Sequence, residues 1–127
     1  MSDAVEYWLE IAKYDLDTAD AMLSAKRYLY VGFMCHQVAE KTLKAIIASN
    51  NEFPPKSHNL IELAKKANIT DELTDEQKSL LRELNPLNIE ARYPSYIEAI
   101  NKTLTHNKCV ELLDKTKEWY LWIVNRL

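Results

Sequence analysis

The chain of 127 residues holds a single glycine, Gly32. Phosphate-cradling loops and the dinucleotide fingerprint both need two or three glycines at fixed spacing, so neither can exist here. Four prolines and one glycine are also too little turn chemistry for a many-stranded sandwich or barrel. Long helices remain, and with 47% apolar residues there is enough hydrophobic material for one core in a single domain over 1–127. The expectation is an all-α, up-and-down helical bundle with two long N-terminal helices, short middle helices and a long C-terminal helix.

Periodicity places these helices. Val5, Leu9, Ala12, Leu16, Ala19 and Leu23 alternate spacings of four and three, which is a bundle stripe. Asp3 with Glu6 reads as the capping pair of this helix. Tyr7 and Tyr14, one heptad apart, are either rim residues or a second contact surface. A second helix from about Tyr28 to Ser49 is apolar around most of its circumference, which makes it the central one, and Gly32 within it predicts a close helix crossing. Pro54-Pro55 stops the chain; Ser57 or Asn59 then caps a short helix ending near Asn68. Thr74 with Gln77 forms a capping box for a helix carrying Leu80, Leu81 and Leu84, ended by Pro86. Residues 87–103 read as the least regular stretch, with Arg92-Tyr93-Pro94 extended or turning. The last helix runs from about Thr105 to Arg126 and buries Val110, Leu113, Tyr120, Ile123, Val124 and Leu127, with Trp119 and Trp122 adding apolar surface.

A net charge of −3 argues against non-specific coating of nucleic acid, which depends on neutralising many phosphates together. The charge is uneven. Residues 1–25 carry six acids and one base, whereas 26–58 carry five bases and two acids, and 101–127 five bases and three acids. Cys35 and Cys109 are too few for a disulfide framework and read as small hydrophobes of a cytoplasmic protein. The first residues lack the basic start and apolar run of a signal peptide, and the longest charge-free apolar-rich stretch, 28–39, is too short to cross a bilayer.

Four landmarks in order resemble the HEPN domain family. They are Tyr7-Trp8-Leu9-Glu10-Ile11-Ala12-Lys13-Tyr14-Asp15-Leu16, the run His36 to Ala45, Pro54-Pro55-Lys56-Ser57-His58-Asn59-Leu60, and Ala91-Arg92-Tyr93-Pro94. The resemblance implies a helical bundle, usually a homodimer, that binds nucleotides or RNA. It also implies a partner, a minimal nucleotidyltransferase encoded separately, with which such domains form toxin and antitoxin pairs. Many members are metal-independent ribonucleases marked by an arginine followed, after four to six residues, by a histidine. That signature is absent here: the permitted positions hold Gly32, Phe33 and Met34 after Arg27, Leu87, Asn88 and Ile89 after Arg82, and Ile97, Glu98 and Ala99 after Arg92.

His36, Glu40 and Lys44 recur every four residues and share one helix face. Read as function, the stripe is an anion site for a nucleotide or RNA phosphate, with Glu40 hydrogen-bonded to the His36 imidazole and with Lys56, His58, Arg92 and Tyr93 completing it. Read as structure, it is a satisfied polar stripe at a helix or dimer interface. No Glu-x-x-His pair precedes any histidine, since Phe33, Pro55 and Thr103 hold those positions, which argues against a di-iron bundle; the zinc-protease histidine pair is absent too, and His36 with Glu40 supplies two ligands with no third adjacent, so no metal is expected and no other cofactor is assigned. The leading reading is a binding module. The alternatives are a metal-independent endoribonuclease using His36 and Arg92, and a purely structural dimerisation bundle.

Overall fold

Among residues 2–89 and 94–127, which the computed structural model describes, the chain forms six α-helices. These are α1 (Asp3–Ser24), α2 (Tyr28–Ser49), α3 (Leu60–Lys66), α4 (Asp75–Leu84), α5 (Pro94–Thr103) and α6 (His106–Arg126). Short 3-10 turns at Thr70–Glu72 and Asn85–Leu87 link the middle helices, and the described residues contain no strand. This is the all-α arrangement that periodicity predicts. None of the described helices is long and apolar enough to cross a membrane.

Each long helix begins and ends for a local reason. The α1 cap is Ser2, whose side chain accepts from the Val5 N–H, so the cap falls one residue before the expected Asp3. Serine and aspartate are both good caps; here Asp3 and Glu6 lie in the first turn, where the helix dipole favours acids. The expected Thr74–Gln77 capping box is present at α4. Asn59 caps α3 by accepting from Ile61 and Glu62, and Thr105 caps α6 by accepting from Lys108.

The missing glycines are replaced at the C-termini. After α1, α2 and α3 the chain takes the left-handed conformation at Lys26, Asn51 and Asn68, with φ of 60°, 62° and 60°. Each turn closes with the same pair of backbone bonds, such as Arg27 N–H to Met22 C=O at 2.8 Å and Lys26 N–H to Leu23 C=O at 3.0 Å. Asparagine tolerates this region through its short polar side chain, but lysine is strained there. Lys26→Gly is therefore expected to stabilise the protein by about 1 kcal/mol, visible as a higher urea midpoint with an unchanged slope.

Helix α2 lies at the centre, packed against α1, α3, α4, α5 and α6. Its Val31, Cys35, Val38, Ala39, Leu43 and Ile47 are fully buried, opposite Leu16 and Ala19 of α1 and Cys109, Leu112, Leu113 and Ile123 of α6. Gly32 makes room for two leucine side chains from outside the α-helices, in place of the helix crossing expected of it. A Cβ there would lie 3.0 Å from Leu104 Cδ1 and 3.2 Å from Leu87 Cδ1. Of the residues assigned to the inner face of α6, Leu113 and Ile123 are buried, while Val110, Tyr120, Val124 and Leu127 are half-buried. Leu112 and Trp119 supply the depth instead. Burial pushes the Cys35 thiol up to about 12, so at neutral pH it stays protonated.

One expectation is corrected. Residues 94–103 form a regular helix, α5, opened by Pro94 in its first turn, where proline's fixed φ suits a helix and its missing N–H costs nothing. Its inner face amounts to Ile100, with Leu104 just beyond its end. Arg92 and Tyr93 lie outside the described residues.

Candidate functional site

Residues His36, Glu40 and Lys44 do share one face of α2, and that face is turned inward. His36 and Glu40 have no exposed surface and Lys44 has 5%. The loop between α2 and α3 meets His36 and Glu40 through His58, while Lys44 lies against Trp8 of α1. This loop is pinned at its far end by the Asn59 cap and by the Leu60 N–H, which donates to Asn85 Oδ1 at 2.8 Å.

A relay of contacts runs from the core to the surface. His36 Nε2–H donates to the backbone C=O of His58 at 3.0 Å, and the Gln37 amide lies 3.1 Å from His36 Nδ1. A neutral ring is fully satisfied there when Gln37 turns its NH2 toward Nδ1. His58 Nδ1–H donates to Glu40 Oε1 at 2.8 Å. The other carboxylate oxygen, Oε2, accepts from Lys41 Nζ at 3.0 Å and from Lys44 Nζ at 3.1 Å. Both ammonium groups sit over the Trp8 indole, 5.8 Å and 5.5 Å from its centroid. The direct His36–Glu40 bond that the spacing allows is replaced by two bonds through His58, because the loop brings a better-placed donor and acceptor to each.

Electrostatics follow from this geometry. Burial pushes the Glu40 carboxyl up, but the His58 hydrogen bond and the two lysines outweigh it and hold the group below its ordinary value. Burial holds the His36 imidazole below its ordinary value, against the opposing pull of Glu40 and of the His58 carbonyl. His36 is therefore neutral when folded and must take up a proton after unfolding in mild acid. The stability it contributes is complete above its ordinary value of 6.5 and is lost as pH falls through its lower folded value. The urea midpoint should be flat above neutrality and decline below about pH 6.5. Unfolding in that window should take up protons, and His36→Gln should reduce that uptake.

The arrangement divides the expected site residues by position. His36, Glu40 and Lys44 form a buried support. His58, with a side chain 57% exposed, is the end that solvent reaches. Because Nδ1 is tied to the carboxylate, the ring's orientation is fixed and Nε2 is directed away from Glu40, as an acceptor in the neutral ring and as a donor to an anion when the ring carries its second proton. Lys41 and Lys44 face the Glu40 carboxylate, and the half-buried Asp15 carboxyl stands near enough to Lys41 and Glu40 to feel both, so the cluster is close to charge balance. Lys56 is exposed two residues before His58 on the same loop. His36, the base assigned in the endoribonuclease alternative, has both ring nitrogens engaged and no exposure. Lys41 and Trp8 are additions to the expected set. Lys41 adjoins Glu40 in sequence, while Trp8 belongs to another helix.

The chain is an all-α helical bundle in which the buried Glu40 holds the ring of His58. A family model for the HEPN domain matches residues 5–127, and the chain belongs to that family. The fold is also similar to that in the crystal structure of TT1696 from Thermus thermophilus. The TM-score is 0.83 at 20% identity, over 99% of this chain and 100% of that one. No curated protein matches the sequence.

Proposed function

We propose that this HEPN-domain chain is a binding module that takes a nucleotide or RNA phosphate at the surface where His58 emerges. The observation that carries the reading is the oriented imidazole: Glu40, itself buried, grips Nδ1 and leaves Nε2 for a ligand. Lys41 and Lys44 are spent on holding Glu40, and the exposed Lys56 supplies a cation on the same loop as His58. Arg92 is assigned a phosphate contact and Tyr93 a base-stacking role on chemical grounds. The buried His36, Glu40 and Lys44 act by holding His58.

The protein works as a cytoplasmic homodimer and as one half of a toxin–antitoxin-type pair with a separately encoded minimal nucleotidyltransferase. Its own mechanism is binding, and the partner supplies metal-dependent transfer. Thermal shift with ATP, GTP and CTP tests this. A ligand at a hundred times its Kd contributes about 2.7 kcal/mol to the folded state, which raises Tm by several degrees. The rise should persist in EDTA, disappear in His58→Ala and shrink in Lys56→Ala and Arg92→Ala. If no nucleotide and no oligoribonucleotide moves Tm, the binding reading is wrong and the bundle is structural.

A further inference from the structure

Helix α1 has two apolar faces. The first, Val5 to Ala19, is buried in the bundle. The second consists of Tyr7, Ile11 and Tyr14 at spacings of four and three. Tyr7 is 58% exposed and Tyr14 74%. At one end of this face Tyr7 packs edge-on against Trp8 at 5.2 Å, and with Phe53 and Pro54 the two line an open groove of about 590 Å³. Phe53, at 97% exposure, is held in the loop after α2 with almost none of its ring covered. Aromatic surface on this scale is an interaction feature rather than ordinary scatter.

Charge identifies the occupant. Asp3, Glu10 and Asp17, all exposed, follow at heptad spacing along the edge of the tyrosine face. The only base in the first 25 residues, Lys13, is ion-paired with Asp17. Lys41 and Lys44, beneath Trp8, are held by Glu40. Glu52, at the groove, is paired with Lys66. A second α1 laid on this face would set three carboxylates against the same three, and a phosphate backbone would meet that acidic edge too. An amphipathic helix with lysine or arginine flanking its apolar side meets both demands.

We infer that the Tyr7–Tyr14 face of α1 and the groove at Phe53 dock a basic amphipathic helix from a different protein, with one large apolar side chain anchored in the groove. This inference is independent of the anion site at His58.

The probe is a fluorescein-labelled leucine–lysine amphipathic peptide of about four helical turns, with a leucine–glutamate peptide of the same pattern as control. Anisotropy should show binding of the lysine peptide alone. Replacing the exposed aromatics together, Tyr7→Ser, Tyr14→Ser and Phe53→Ser, leaves net charge unchanged and should weaken binding by at least about tenfold, with the circular dichroism spectrum intact. Three results would overturn the inference. The lysine peptide does not bind, it binds the aromatic variant equally well, or light scattering shows the variant dissociating a homodimer that the native chain forms through this face.

Discussion

Replacing Glu40 by alanine should lower the stability of the protein by about 3–5 kcal/mol, a large part of the total for a domain of this size. The reason lies in what is left behind. Lys44, at 5% exposure, keeps an ammonium group inside the α1–α2 seam with only the face of Trp8 to compensate it. Lys41 loses the same partner, and His58 loses the acceptor that fixes its ring. Glu40→Gln retains the shape and one acceptor but not the charge, and should fall between the native protein and the alanine variant. The cost belongs to the stranded cation more than to the strength of the pair, which a second substitution can show. In Glu40→Leu with Lys44→Leu neither charge is buried, so much of the loss should be recovered. Urea unfolding of the three variants measures this directly, with unchanged slopes confirming two-state behaviour. A loss under about 1 kcal/mol in Glu40→Ala would mean that Lys44 reaches solvent along its methylene stem, and that the carboxylate is not the keystone of the cluster.

The same residues show what could be read from sequence. A spacing of four places His36, Glu40 and Lys44 on one face because helix geometry is local, and that much was legible. Which way the face points, and what meets it, depends on a loop that returns over α2 some twenty residues later, and no periodicity encodes that return. His58 was visible as a candidate but not as the partner of Glu40, because spacing alone points Glu40 to a mate on its own helix. Trp8 was legible only as part of the opening landmark, since its role comes from α1 crossing α2. Helix ends behaved similarly. Thr74 with Gln77 announces a helix because both partners are within three residues, whereas Lys26 carries no sign of a left-handed conformation, because nothing in lysine chemistry favours one. Helix α5 is illegible for a physical reason as well: its one buried residue, Ile100, cannot generate a stripe, and Pro94 resembles a breaker when it is a starter.

Trp119→Ala is the other substitution expected to be severe, again by about 3–5 kcal/mol. Trp119 is 2% exposed in the middle of α6, its ring 5.5 Å from that of Trp122. Its Nε1–H donates to Thr42 Oγ1 at 2.9 Å, which joins α6 to the central helix. The Thr42 hydroxyl in turn donates to the carbonyls of Val38 and Ala39, at 2.8 Å and 2.9 Å. Leu80 and Trp119 already line a depression of about 320 Å³ between α4 and α6, so removing the indole opens the core to that depression. Water can then enter an apolar wall, and the wall does not collapse to refill the space. Phenylalanine separates the two contributions. Trp119→Phe keeps most of the volume but leaves the Thr42 oxygen without its donor, for a loss of about 1–3 kcal/mol. Adding Thr42→Val to Trp119→Phe removes both ends of the bond, and this pair should be less destabilised than the sum of the two single variants. Strict additivity in that double-mutant cycle would show that the indole stabilises the bundle by filling space alone, and that the α2–α6 hydrogen bond contributes nothing of its own.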